Sequence, residues 1–157
     1  MIQPARTSAL FLTAALLALP GCMAQTGAKP VKPYPGAEVT GLFDGRTAVP
    51  LGDPDGSGKF AGFVDLDYGR LCYTLSVAGI ATPTAAHIHK GAPGAAGEAV
   101  LTLATPTYMQ NQTCTPIDAA LATDLIANPA AYYVNVHNAE FPGGAIRAQL
   151  EKGKGGK

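Results

Sequence analysis

The feature that most constrains this chain is a two-residue period in its apolar side chains. Phe60, Gly62, Val64 and Leu66 share one face of an extended segment, and Leu71, Tyr73, Leu75 and Val77 share one face of the next. Successive strand residues point to opposite sides, so each segment reads as a strand with one face in a core. Asp67–Arg70, "DYGR", is short and carries a glycine, which marks a hairpin. The same reading places strands at Glu38–Phe43, Ala85–Lys90, Ala99–Leu103, Tyr132–His137 and Ala145–Leu150, with Gly and Pro turns between them. This pattern predicts an all-β, Greek-key-like antiparallel β-sandwich of about seven or eight strands. One short helix interrupts it in a long connection. Thr115 can cap, Pro116 suits a first helical position, "IDAALATDLIA" has helical spacing, and Asn128 with Pro129 ends it.

Outside that pattern the chain carries an address. Arg6 precedes the apolar run "SALFLTAALLALPGC", too short to span a bilayer and shaped like the core of an exported leader. Leu19, Pro20, Gly21 and Cys22 resemble a lipobox, so residues 1–21 read as a lipoprotein signal peptide and Cys22 as the lipid attachment site. An ordinary secretory leader with an incidental Cys22 is the alternative. Met23, not an aspartate, follows the cysteine, which by resemblance to lipoproteins of two-membraned bacteria points to the outer membrane, facing the periplasm. Residues 22–36 are Pro-rich without periodicity and read as a tether, 37–151 as the folded domain, and 152–157, with Lys152, Lys154 and Lys157, as a disordered basic tail. With 47% hydrophobic residues the domain can build one core, and a formal charge of zero excludes a nucleic-acid partner.

Setting Cys22 aside leaves Cys72 and Cys114, an even pair in an oxidising compartment, for which a disulfide is expected. Two free thiols, or thiolates on a metal, are the competing readings. In the chain-entropy description, closing the long loop between these cysteines stabilises the fold by about 4 kcal/mol.

The stretches "AAHIHKGAPGAAGEAVLTL" and "NPAAYYVNVHNAEFPGGAIRAQL" resemble the two most characteristic segments of the CHRD (chordin-type) domain family. "DPDGSGKFAGFVDLDYGRLCYTLSV" is similar to its opening hairpin, and the resemblance covers about residues 37 to 150. It implies an extracellular or periplasmic binding role, with a protein partner in that compartment, and no uniform enzymatic activity.

All three histidines of the chain, His87, His89 and His137, fall in those two stretches. On a strand His87 and His89 project from one face, and if Val134 and Val136 are core residues, His137 projects from the opposite face together with Tyr133 and Asn135. Were the two strands neighbours, three imidazoles would converge on one metal, copper or zinc by the nature of the donors. The arrangement is also similar to the copper half of copper/zinc superoxide dismutase, with Arg147 in the part of an anion-attracting arginine. No fourth histidine is present to build its second metal site. The metal-free alternative has the histidines hydrogen-bonding the glycine turns, and Arg147 pairing with Glu140 or a backbone carbonyl.

Gly52–Gly58, "GDPDGSG", starts like a calcium loop but has Val64 where the twelfth ligand would stand, so a turn is expected. Asn111 in "NQTC" has the spacing of a glycosylation acceptor, without consequence in a bacterial lipoprotein. Hydrolytic and group-transfer motifs are absent. The expectation is a lipid-anchored binding domain of the cell envelope with a three-histidine metal site. A copper-dependent dismutase-like enzyme, or a structural envelope protein without ligand, are the alternatives.

Overall fold

A computed structural model describes residues 36–107 and 111–154. The leader, Cys22 and the tether before Gly36 lie outside the described residues. In chain order the strands are β1 (Gly36–Asp44), β2 (Ser57–Asp65), β3 (Arg70–Ala78), β4 (Pro83–Lys90), β5 (Ala99–Leu103) and β6 (Thr113–Pro116). Helix α1 (Ala119–Ala127) follows, then β7 (Tyr132–Asn138), β8 (Ile146–Gln149) and β9 (Glu151–Lys152). The strands pair antiparallel throughout, in the order β5-β4-β7-β8-β1-β2-β3-β6, with β9 against β1.

β1 and β8 meet at a single residue pair, Asp44 with Arg147, whereas β1–β2 and β2–β3 are each in register along their whole length. The sparse β1–β8 pairing, continued by β9 at Thr40 and Val39, separates two halves of the path, β5-β4-β7-β8 and β1-β2-β3-β6. Their inward side chains form one core: Phe60, Val64 and Leu71 from one half pack with Ile88, Val134, Val136 and Ile146 from the other. Ala122 and Leu125 of α1 join the same cluster. Connections β3–β4, β5–β6 and β6–β7 each cross between halves, and β4 lies beside β7 although β5, β6 and a helix separate them in sequence. The fold is thus the expected all-β, Greek-key-like sandwich with one helix, its sheet nearly closed.

The hairpin between β2 and β3 shows how locally the sequence acts. Gly69 takes a left-handed φ of 56°, Asp65 Oδ1 accepts from the Tyr68 N–H at 3.2 Å, and Arg70 Nε pairs with Asp65 Oδ2 at 3.3 Å. Leu66, expected on the inward face with Val64, is instead 40% exposed, because β2 ends at Asp65 and the turn rotates the next residue outward.

The helix also begins later than its spacing suggested. Thr115 and Pro116 belong to edge strand β6, and Asp118 is the cap, its Oδ1 accepting from the N–H groups of Ala120 at 2.8 Å and Leu121 at 3.2 Å. What holds this short segment on the sheet is the disulfide Cys72–Cys114, which joins residues directly opposite in the β3–β6 register with Cα atoms 4.0 Å apart. A proline is tolerated there because an edge strand has a free side.

The bond closes a sequence separation of 42 residues. Replacing both cysteines by alanine should therefore lower the unfolding free energy by about 4 kcal/mol, measured by urea denaturation, with β6 amides losing exchange protection first. Unchanged stability would show that the crosslink constrains little.

Candidate metal centre

Strands β4 and β7 lie side by side with Ile88 opposite Val134 and Ala86 opposite Val136. All four are fully buried in the core. The pleat then sends His87 and His89 of β4, and Tyr133, Asn135 and His137 of β7, to the other side of the sheet. His87 is opposite Asn135 and Ala85 opposite His137, so His87 and His137 are diagonal neighbours across the strand pair, within reach of long side chains. His87 Nδ1 lies 3.2 Å from His137 Nε2, and one nitrogen from each of the three rings falls within 4.8 Å of the others. The structure brings all three sequence-predicted histidines together.

Two loops cover this outer face, one joining β4 to β5 and the other joining β7 to β8. Each supplies a carbonyl to one imidazole: His89 Nδ1 donates to the Gly97 carbonyl and His137 Nδ1 to the Pro142 carbonyl, both at 2.9 Å. With those protons fixed on Nδ1, the Nε2 atoms of His89 and His137 carry lone pairs, that of His137 facing His87 Nδ1 at 3.2 Å. His89 Nε2 is buried and has no hydrogen-bond partner among the described residues. Burial, followed by the charge of the neighbouring imidazoles, pushes the His87 pKa below its ordinary value. Burial likewise dominates the lowering at His89, reinforced by His137 and Arg147 and opposed by the hydrogen bond to Gly97. These rings are therefore held in the neutral form that binds metal.

The His87–His137 spacing fits a small cation, and the His89 nitrogen, within 4.8 Å of the others, would close in to complete the set. Two nitrogens 3.2 Å apart, each at about 2.0 to 2.1 Å from a shared ion, subtend a bond angle near the tetrahedral one. All three rings are only half-buried, which leaves one side of the cluster accessible. The carbonyls behind His89 and His137 are of the kind that orient metal-bound imidazoles.

Glycines make the loops possible. A side chain at Gly97 would collide with the carbonyl of Lys90, and one at Gly144, whose φ is 132°, would collide with the Asn135 amide. Gly97 is also fixed by its own N–H, which donates to Tyr133 Oη at 3.1 Å. Tyr133 stacks on His89 with ring centroids 4.9 Å apart and planes 9° from parallel. On its other face lies Arg147, with Cζ 3.5 Å from the ring centroid. The Arg147 guanidinium is 2% exposed and donates to the carbonyls of Ala95 at 2.7 Å and Ala92 at 2.8 Å, and to Gln149 Oε1 at 2.8 Å. Of the roles expected for it, the structure places it on backbone carbonyls, pinning the loop that carries Gly97. The bonds from His89 to Gly97 and from His137 to Pro142 are those expected of the metal-free alternative, in which the histidines hold the glycine turns, whereas Tyr133 had no expected role. Tyr133 shares the face of His137, and that two-residue period is the signal that points to it.

Because folding lowers the pKa of His87 and His89, the unfolded chain takes up protons there more readily than the folded one. Their contribution to stability is complete above the ordinary histidine pKa and is lost as pH falls below it. In metal-free buffer the melting temperature should drop between about pH 7 and pH 5, and less steeply in His89→Gln. Identical pH profiles for the two proteins would mean that His89 is not held neutral by burial.

Two histidines on one strand and a third on its sheet neighbour, backed by glycine-turn carbonyls, occupy the same two segments that resemble a known domain. No curated protein and no solved structure matches the chain. A profile of the CHRD domain, however, matches residues 39–150, a span that begins in β1, ends just beyond β8 and contains the whole histidine cluster. By that match over most of its length, the chain belongs to the CHRD domain family.

Proposed function

We propose that this protein is a lipid-anchored binding module of the cell envelope that holds copper or zinc through His87, His89 and His137. The observation that carries the reading is the convergence of three half-buried imidazoles, two with Nδ1–H locked on carbonyls and one of these, His89, presenting a buried, unpartnered Nε2. An unpaired buried nitrogen is costly in a folded protein, about 1–3 kcal/mol, and a metal ligand bond relieves it. A borderline cation suits the donor set, since three neutral nitrogens without a carboxylate are poor ligands for calcium or magnesium.

In this reading the chain's own residues do the binding work. His89 and His137 offer Nε2, and His87 offers Nδ1, the nitrogen turned toward His137. For that, the His87 proton resides on Nε2. Gly97 and Pro142 fix the ring orientations, and Arg147 with Tyr133 fixes Gly97. A bound metal would supply a Lewis-acidic centre accessible from one side.

The dismutase-like alternative has less support. It requires Arg147 to attract an anion, but its Nη1 and Nη2 already donate to carbonyls and an amide, and the side chain is buried. What the CHRD resemblance implies is a binding role, with a periplasmic protein as a further partner.

Anchoring rests on Leu19–Cys22 and the preceding apolar run. Cys22→Ser should shift the expressed protein from the detergent-soluble envelope fraction to the aqueous one. Equal partitioning of both forms would remove the lipid anchor.

Metal content after loading with copper or zinc, measured by elemental analysis, should approach one equivalent in the wild type and fall close to zero in His89→Ala. Equal content in both would dismiss the site. Gly97→Ala touches no ligand yet displaces the carbonyl behind His89, and should weaken binding by about ten- to hundredfold in a competition titration.

A further inference from the structure

An ion on the three histidines would have a neighbour whose charge no carboxylate among the described residues pairs. Arg147 is 2% exposed and forms no salt bridge, the ion pairs among the described residues being Arg46–Asp44, Arg70–Asp65 and Lys90–Asp124. It is linked to the site by a stack of rings, with Tyr133 between it and His89 at 3.5 Å on one side and 4.9 Å on the other. A charge on Arg147 and one at His89 are thus separated by on the order of 8 Å, inside the Debye length at physiological salt and across buried protein, where screening is weak. No carboxylate joins the three histidines, and the acidic residues of the two covering loops, Glu98 and Glu140, are exposed.

From this arrangement we infer that the site selects copper in its monovalent, cuprous state over divalent copper and zinc. The inference rests on the reading that the three imidazoles hold a metal at all. Imidazole is a ligand for both oxidation states of copper and for zinc, so donor type does not decide between them, and charge does. Three neutral nitrogens leave the full charge of the ion in place. The burial penalty of an ion grows with the square of its charge, and the repulsion from Arg147 grows in proportion to it. Both effects favour the monocation. The carbonyls of Ala92 and Ala95 and the Gln149 oxygen solvate the guanidinium without removing its charge. Arg147 is in this sense a specificity-determining residue that touches no metal.

The test uses the mature protein, titrated anaerobically with Cu(I) against a coloured cuprous chelator and, separately, with Cu(II) and Zn(II) against chelators for divalent ions. The wild type should hold Cu(I) at least about a hundredfold more tightly than Cu(II) or Zn(II). Arg147→Met removes the charge and should narrow the Cu(I) to Cu(II) ratio by about tenfold, the scale of one unit charge at this distance in partly buried protein. Arg147→Lys keeps the charge and should leave the ratio near that of the wild type. Tighter binding of Cu(II) than Cu(I) by the wild type overturns the inference, and does so whether or not the Met variant folds. An unchanged ratio in a folded Arg147→Met also overturns it. Should no ion bind in any form, with wild type and His89→Ala alike, the metal site itself fails; binding of every ion without the cuprous preference defeats the charge argument alone.

Discussion

The β4–β7 pairing is the constraint on which the rest of this structure depends. Ile88 against Val134 and Ala86 against Val136 are buried without residue, and their burial fixes both the register and the facing of the two strands. A slip by one position would carry these side chains to the outside and the histidines into the core, so the register is defended by the hydrophobic free energy of the whole cluster. The imidazoles are placed by residues with no chemistry of their own. Their convergence follows from the pleat, and the pleat is held by the core.

What lies above the imidazoles is set differently. The loop after β4 hangs on polar contacts: Arg147 reaches up from β8 to the carbonyls of Ala92 and Ala95, Gln149 Nε2 donates to the Gly91 carbonyl, and Tyr133 Oη accepts from Gly97. A guanidinium can satisfy several carbonyls at once in a fixed plane, and stacking on Tyr133 leaves its edge free to do so. Burying such a charge is unfavourable unless its donors are used. Here Nη1 and Nη2 are spent on the loop that orients His89, which ties the position of a ligand to the integrity of β8 two strands away.

Much of this was legible in the residues because a strand has so simple a period. The alternation in Phe60–Val64 and Leu71–Val77 named two strands and their buried faces, and the same rule gave the facing of His87 with His89 and of His137, while the pairing of β4 with β7 that joins them came from the structure. The limits of that rule also show. "TCTP" carries no apolar alternation in sequence, and its strand is set by pairing with β3 and the disulfide to Cys72, so Thr115 and Pro116 read as the start of a helix that Asp118 in fact caps. Leu66 kept the period but not the strand, because the turn begins one residue earlier. That the histidines would hydrogen-bond the two glycine turns was legible as the metal-free alternative, and Gly97 and Pro142 lie in those turns, but which carbonyl of each turn would do so was not. Every residue has a carbonyl, and which one meets an imidazole is decided by how two loops fold over a sheet.

The distribution of unsatisfied polar groups makes a last connection between stability and site. Among the described residues, the buried side-chain atoms without a hydrogen-bond partner are His89 Nε2, Asn135 Oδ1 and Asn138 Nδ2, and all three belong to β4 or β7. Such groups are rare in a well-packed domain, and each lowers stability by about 1–3 kcal/mol. The opposite half, crosslinked by Cys72–Cys114 and paired in register along three long strands, contains none among those residues. The fold therefore concentrates its polar frustration on the strand pair that presents the imidazoles, while the remainder of the sandwich is stable enough to tolerate it. Of the three, His89 Nε2 is the one that offers a lone pair beside other imidazoles, and a metal bound there would satisfy it.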